Sequence, residues 1–210
     1  MLRIIMRKAR TIVLLLLIGL PTMLSAQDEY EDPNIGSDWD YYYYDAVSRG
    51  DQTFIISLGT IFPMAFYNGG KKIDHKFEPG IGGAGSLAYN YYLFPNVFVG
   101  AEAGGLFIHT LGDNTLFNII LGARAGYQFN VWRFEFPVTG VVGMVWHRYL
   151  DQGHYGLYLK GGGAAFFRAS PNWSFGISSN WYWLPQWTKD KSQTVYGNMA
   201  DITLCARYHF

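Results

Sequence analysis

The sequence predicts an all-β fold, an eight-stranded antiparallel up-and-down transmembrane β-barrel. Three observations predict it. From Asp51 to Phe210, apolar residues recur with a period of two in eight successive segments. The segment faces that carry Trp and Phe hold no charge, and the opposite faces carry Arg, Lys, Glu and Asp. The connections alternate between tight turns and longer polar stretches, the pattern of barrels that cross a membrane with strands. Composition agrees. The chain is 18% aromatic, only 15% charged and contains 25 glycines. This suits strands whose outer half faces lipid better than a domain surrounded by water.

The elements follow in order. Residues 1–26 open with Arg3, Arg7, Lys8 and Arg10, continue with an apolar run from Ile12 to Leu20, and end in Ser25 and Ala26. This reads as a secretory signal peptide cleaved after Ala26, because the run is shorter than the ~20 residues a spanning helix needs. No cysteine follows the cut, which excludes a lipid anchor on an N-terminal Cys. Cys205 is the only cysteine, so an internal disulfide is excluded too. Removing residues 1–26 leaves 12 basic against 16 acidic residues, a formal charge of −4, which argues against nucleic acid as a partner. Residues 27–50 carry seven acids and one base and include Tyr41–Tyr44. They read as an acidic flexible N-terminal tail, with docking of the aromatics at a membrane interface as the alternative.

The barrel is expected over 51–210. The first segment, 51–63, sets Phe54, Ile56, Leu58 and Phe62 on one face. The second, 80–92, groups Ile81, Leu87, Tyr89 and Tyr91. The third, 97–109, sets Val97, Val99, Ala101, Ala103 and Phe107 opposite Glu102. The fourth alternates most cleanly, with Phe117 to Phe129 at odd positions against Asn118, Arg124 and Gln128. The fifth, 132–147, opposes Trp132, Phe134, Phe136, Val138, Val142, Met144 and Trp146 to Arg133, Glu135, Thr139 and His147. The sixth, 155–168, opposes Leu157, Leu159 and Phe167 to Tyr158, Lys160 and Arg168. The seventh, 173–184, opposes Trp173, Phe175, Ile177, Trp181 and Trp183 to Ser174, Ser178 and Asn180. The eighth, 199–210, opposes Ile202, Leu204, Ala206, Tyr208 and Phe210 to Asp201, Thr203, Arg207 and His209.

Residues 93–96, 129–132 and 170–172 read as tight turns, and 64–79, 110–114, 148–154 and 185–198 as longer loops. Eight strands place both termini on the tight-turn, periplasmic side, with the long loops extracellular. A soluble barrel would carry its polar residues outside. Here the uncharged aromatic faces need lipid outside, so outer-membrane lipid is the expected surrounding.

The inward faces carry Glu102, Arg124, Arg133, Glu135, Lys160, Arg168, Asp201 and Arg207. An eight-stranded interior is just wide enough for side chains to fill, so these charges must pair. Together they predict a salt-bridged lumen plug made of Glu102, Arg124, Arg133, Glu135, Lys160, Arg168 and Arg207, with Asp201 the exception, higher up. The outer half instead presents Ile61, Leu106, Ile108, Val141, Val145, Tyr182 and Leu184 inward. They form an expected apolar lumen pocket above the plug, or simply fill a narrow interior.

The last segment ends in Phe210, after Thr203 and Tyr208. On these residues, and on the strand pattern of 51–210, the chain resembles the small bacterial outer-membrane β-barrels of the OmpX, OmpA and OmpW type. Cys205 stands where that family usually has glycine. The resemblance implies that Thr203, Tyr208 and Phe210 form an assembly signal read by the barrel-assembly machinery. The lumen pattern is most similar to OmpW, which implies a binder or conduit for small apolar molecules that leave sideways through the wall. The alternative is a non-transporting surface barrel whose extracellular loops contact host surface molecules or other partners.

Motifs that would carry chemistry are weak. Gly80, Gly82 and Gly85 fit G-x-G-x-x-G, but a period-two strand follows where a nucleotide loop needs a helix. These glycines, like Gly161–Gly163, read as sites of close strand approach. His75, His109, His147 and His154 map near the outer rim, and His147, Asp151 and His154 are expected to share one loop. Acid–base or metal work is the functional reading there, and rim polarity the plain one. No catalytic residue, metal site or cofactor is assigned.

Overall fold

The computed structural model describes residues 47–68, 70–73, 80–109, 115–149, 152–186 and 194–210. The expected signal segment, the acidic stretch through residue 46 with Tyr41–Tyr44, His75 and Asp151 lie outside the described residues. Among the described residues nine strands follow one another: β1 (Gln52–Asn68), β2 (Lys71–Ile73), β3 (Gly82–Phe94), β4 (Val97–His109), β5 (Thr115–Val131), β6 (Phe134–Tyr149), β7 (Gln152–Arg168), β8 (Trp173–Gln186) and β9 (Val195–His209). Every pairing is antiparallel between sheet neighbours. The sheet closes because β1 pairs with β9 from Thr53↔His209 up to Asn68↔Val195. Eight strands make the wall. β2 adds only a short hairpin on the upper end of β1, at Phe66–Asn68.

The period-two reading sets the inside and the outside correctly along every wall strand. Leu58, Leu87, Leu121, Met144, Tyr155, Ile177 and Leu204 point outward and are exposed. Ile55, Phe98, Ile120, Tyr158 and Met199 point inward and are buried. An uncovered belt of Leu, Ile, Phe and Trp on this scale suits hydrocarbon, not water. No described helix is long and apolar enough to cross a membrane. The crossing elements are strands of 13–17 residues, longer than the ~9–11 a bilayer requires.

Two tight turns lie at the expected 93–96 and 170–172, but the one expected at 129–132 falls at Trp132 and Arg133, because β5 stays paired with β6 through Val131↔Phe134. Asn96 and Trp132 adopt the left-handed region, with φ of 66° and 55°. Asn tolerates that conformation readily, whereas Trp pays for the tightness of its turn in backbone strain. At the long-loop end the strands outrun the expected boundaries. β1 continues to Asn68, and β6 and β7 pair as far as Tyr149↔Gln152. The expected loop 148–154 is therefore mostly strand, with only residues 150 and 151 between the two ladders. Toward this end the apolar alternation fades while the backbone ladder continues. A bulge at Pro63/Ala65 re-phases β1. Ile61 below it and Phe66 above it both pack inward. G-x-G-x-x-G opens a strand, as its context predicts. A Cβ on Gly82 would lie 2.1 Å from the Phe107 carbonyl oxygen, so the glycine serves close strand approach.

Candidate functional site: the barrel lumen

The lumen is built in three layers. The lowest joins charge to aromatic rings. Val47, just before the first strand, is buried with Tyr92 and Phe98. The Tyr92 and Phe98 ring centroids are 5.5 Å apart. Tyr92 Oη donates to Gln128 Oε1 at 2.7 Å, and Arg207 Nη1 donates to the same oxygen at 2.8 Å and to Glu135 Oε2 at 2.9 Å. Glu135 also meets Arg168 at 3.6 Å and accepts from Ser174 Oγ at 3.3 Å. The Arg207 guanidinium lies over the Phe166 ring, 3.9 Å from its centroid, and is fully buried.

The middle layer centres on Glu102. Its Oε1 pairs with Lys160 Nζ at 2.6 Å and its Oε2 with Arg124 Nη1 at 3.4 Å. Register explains the meeting. Arg124, Val141, Lys160 and Tyr182 are successive Cα partners on β5 to β8, so two cations flank one position, and Glu102 reaches them from β4. Asp201 is held apart by neutral donors, Tyr182 Oη at 2.6 Å, Asn180 Nδ2 at 2.8 Å and the Asn180 amide at 3.0 Å.

The upper layer is apolar. Ile61, Leu106, Ile108, Val141, Val145, Tyr182 and Leu184 fall in one buried cluster, each at most 5% exposed. Ala84, Ile120, Tyr158 and Met199 complete it. Tyr158 fits because Gly122 and Gly143 lie beneath its ring. A Cβ there would come within 2.5 and 2.7 Å of its side chain. At the upper edge His147 Nδ1 and Asn118 Oδ1 are 2.7 Å apart.

Of the expected plug residues, Glu102, Arg124, Glu135, Lys160 and Arg207 are deeply buried and Arg168 is half-buried. Arg133 sits in the turn between β5 and β6 rather than on a strand face, its guanidinium 5.7 Å from the Trp132 ring centroid. Thr203 points inward, its Oγ1 2.7 Å from Ser178 Oγ. Cys205 also points inward, with Sγ 3.2 Å from Ser57 Oγ. Tyr208 and Phe210 lie outward, and their rings meet edge to face at 5.0 Å. His147 and His154 are strand partners across β6 and β7, not members of one loop. The interior is more aromatic than expected: Tyr92, Phe98 and Phe166 also point inward, and Phe98 and Phe166 share the parity of the charges on their own strands. Among the described residues no group of three His, Cys, Asp or Glu side chains is placed to hold a metal.

Outside the wall, level with the middle layer, small residues leave a groove of about 900 Å³. Ala123, Ala125, Gly140 and Gly161 line it together with Val99, Leu159, Trp181 and Trp183. Val141 borders both this groove and the apolar lumen cluster.

A protein-family model matches residues 27–208. The chain belongs to that family. An uncharacterized protein of Treponema pallidum (strain Nichols) is 24% identical over 178 residues, covering 80% of each chain. A second protein of that organism is 22% identical over 162 residues, covering 68% of this chain and 56% of the relative. Among solved structures, Neisserial surface protein A superposes with a TM-score of 0.58 at 8% identity, over 77% of this chain and 97% of its own. Ail, the attachment invasion locus protein of Yersinia pestis, solved in complex with the heparin analogue sucrose octasulfate, gives 0.47 at 15% identity, over 77% and 99%. The fold is that of the small outer-membrane β-barrels.

Proposed function

We propose that this is a bacterial outer-membrane barrel that binds small apolar molecules at its wall and upper lumen and does not conduct ions. Both termini are then periplasmic and the long loops extracellular. The family match begins at residue 27, next to the expected cleavage after Ala26, which supports export. The observation that carries the binding reading is the adjacency of two apolar surfaces at Val141, the outer groove and the upper cluster. Apolar walls with a few polar groups suit small apolar ligands. The charged layers below close the periplasmic way out, so exchange is lateral. The tight packing of the upper cluster favours a second reading, a filled surface barrel that acts through its loops on host or neighbouring molecules.

The test is fluorescence of an apolar dye with the refolded barrel in short-chain lipid. Saturable binding is expected. Gly161→Phe fills the groove from outside, where an added Cβ meets nothing within 4 Å, and should abolish binding while the barrel still folds. Leu106→Arg should do the same from inside. A wild-type barrel that binds no apolar dye would leave the surface-contact reading in its place.

A further inference from the structure

A cavity of about 30 Å³ lies in the middle of the lumen, between the Glu102 and Glu135 ion clusters. That is room for about one or two water-sized particles. Its lining includes Arg124, Lys160 and Arg207, with Glu102 as the one carboxylate. Both Glu102 oxygens are already taken, by Lys160 and Arg124. Glu135, the partner of Arg207, does not line the cavity, and neither does Asp201. Several buried donors have no hydrogen-bond partner: Arg124 Nε, Arg207 Nε and Arg207 Nη2. The Phe166 ring accounts for one face of the Arg207 guanidinium, but a ring face does not neutralise charge. Ser57 and Ser86 add hydroxyls to the same walls.

The charge balance points the same way. Across the lumen the buried charges balance, Arg124, Lys160 and Arg207 against Glu102, Glu135 and Asp201, with Arg168 half-buried. At the cavity wall they do not: three cations meet one carboxylate, and unbalanced charge in an interior is costly. Water would satisfy the donors and leave that charge in place. We propose that the mid-lumen cavity binds one small monovalent anion, chloride or bromide, held by Arg124, Lys160 and Arg207. Polyatomic anions as large as gluconate do not fit a space of this size.

The experiment is urea unfolding of the refolded full barrel at fixed ionic strength and pH, with sodium gluconate replaced stepwise by chloride or bromide. An ion that binds only the folded state stabilises it in a saturable way. The midpoint should rise and level off with chloride and with bromide. Lys160→Met should lose the dependence. Glu102→Gln removes the competing carboxylate and should shift half-saturation to lower chloride. Bromide-soaked crystals of the wild type should place an anomalous peak between Arg124 and Arg207, a readout that holds even where a variant fails to fold. Equal midpoints in gluconate and chloride, or a saturable rise retained in Lys160→Met, would overturn the site. So would bromide found only on the outer surface.

Discussion

The two faces of one strand make different demands on sequence, and β5 shows it. Outward it presents Phe117, Ile119, Leu121, Ala123, Ala125, Tyr127 and Phe129. Inward it presents Asn118, Ile120, Arg124 and Gln128. Outward residues meet a fluid surrounding in which one apolar side chain replaces another at little cost. Inward residues meet named atoms: Arg124 the Glu102 carboxylate, Gln128 both Tyr92 and Arg207, Asn118 the His147 ring. The wall is specified by class of residue and the interior by partner.

Breaking a partner should therefore be the most damaging change. Glu135→Gln leaves Arg207, which has no exposed surface, without its counter-charge. Removing one member of a buried pair costs about 3–5 kcal/mol. Val138→Ala, three residues along the same strand but outward, should cost far less. Urea midpoints of the two refolded variants in lipid check the ranking. Equal costs would mean that the interior charges are solvated and that the lumen is wet.

The wall has its own weakness, and it is one of class. Leu121 is 62% exposed on the outer face. Leu121→Arg should cost about 2–4 kcal/mol if that face meets the bilayer midplane. Leu121→Ile keeps the class and should lie within about 0.5 kcal/mol of wild type. Arg tolerated at 121 in liposome-refolded protein would show that this belt does not face hydrocarbon.

The same contrast explains what the sequence revealed. Class is written locally, so alternation alone gives eight wall strands, their inner and outer faces and the inward set from Ile61 to Leu184. Partners depend on register between strands, which no single segment contains. That Glu102 meets both Arg124 and Lys160 follows from the stagger of β4 to β7. That Asp201 is served by Tyr182 and Asn180 follows from β8 lying beside β9. Alternation also fails where its cause ends. At the long-loop end β6 and β7 remain paired, but no apolar face marks them, so the sequence suggests a loop. The inward rings Phe98 and Phe166 share the parity of Glu102 and Lys160, whereas Tyr92 lies on a strand with no charge to mark its inner face.

The smallest effect on stability is expected at Phe210, where wall and chain end coincide. Its side chain is 70% exposed and touches the edge of Tyr208. The Phe210 amide donates to the Gln52 carbonyl oxygen at 3.1 Å, a bond that any residue could make. Phe210→Ser should therefore shift the urea midpoint of refolded protein by no more than about 0.5 kcal/mol, as for a surface substitution away from buried features. Its consequence should appear earlier, during insertion. If the terminal aromatic is read by the assembly machinery, cells making Phe210→Ser should accumulate much less heat-modifiable barrel in the outer membrane than cells making wild type. Phe210→Trp, which keeps an aromatic at the end, should restore it. A normal yield for the serine variant would remove the recognition role. A large loss of stability in the purified barrel would make Phe210 a structural member of the wall, with a neighbour as specific as those inside.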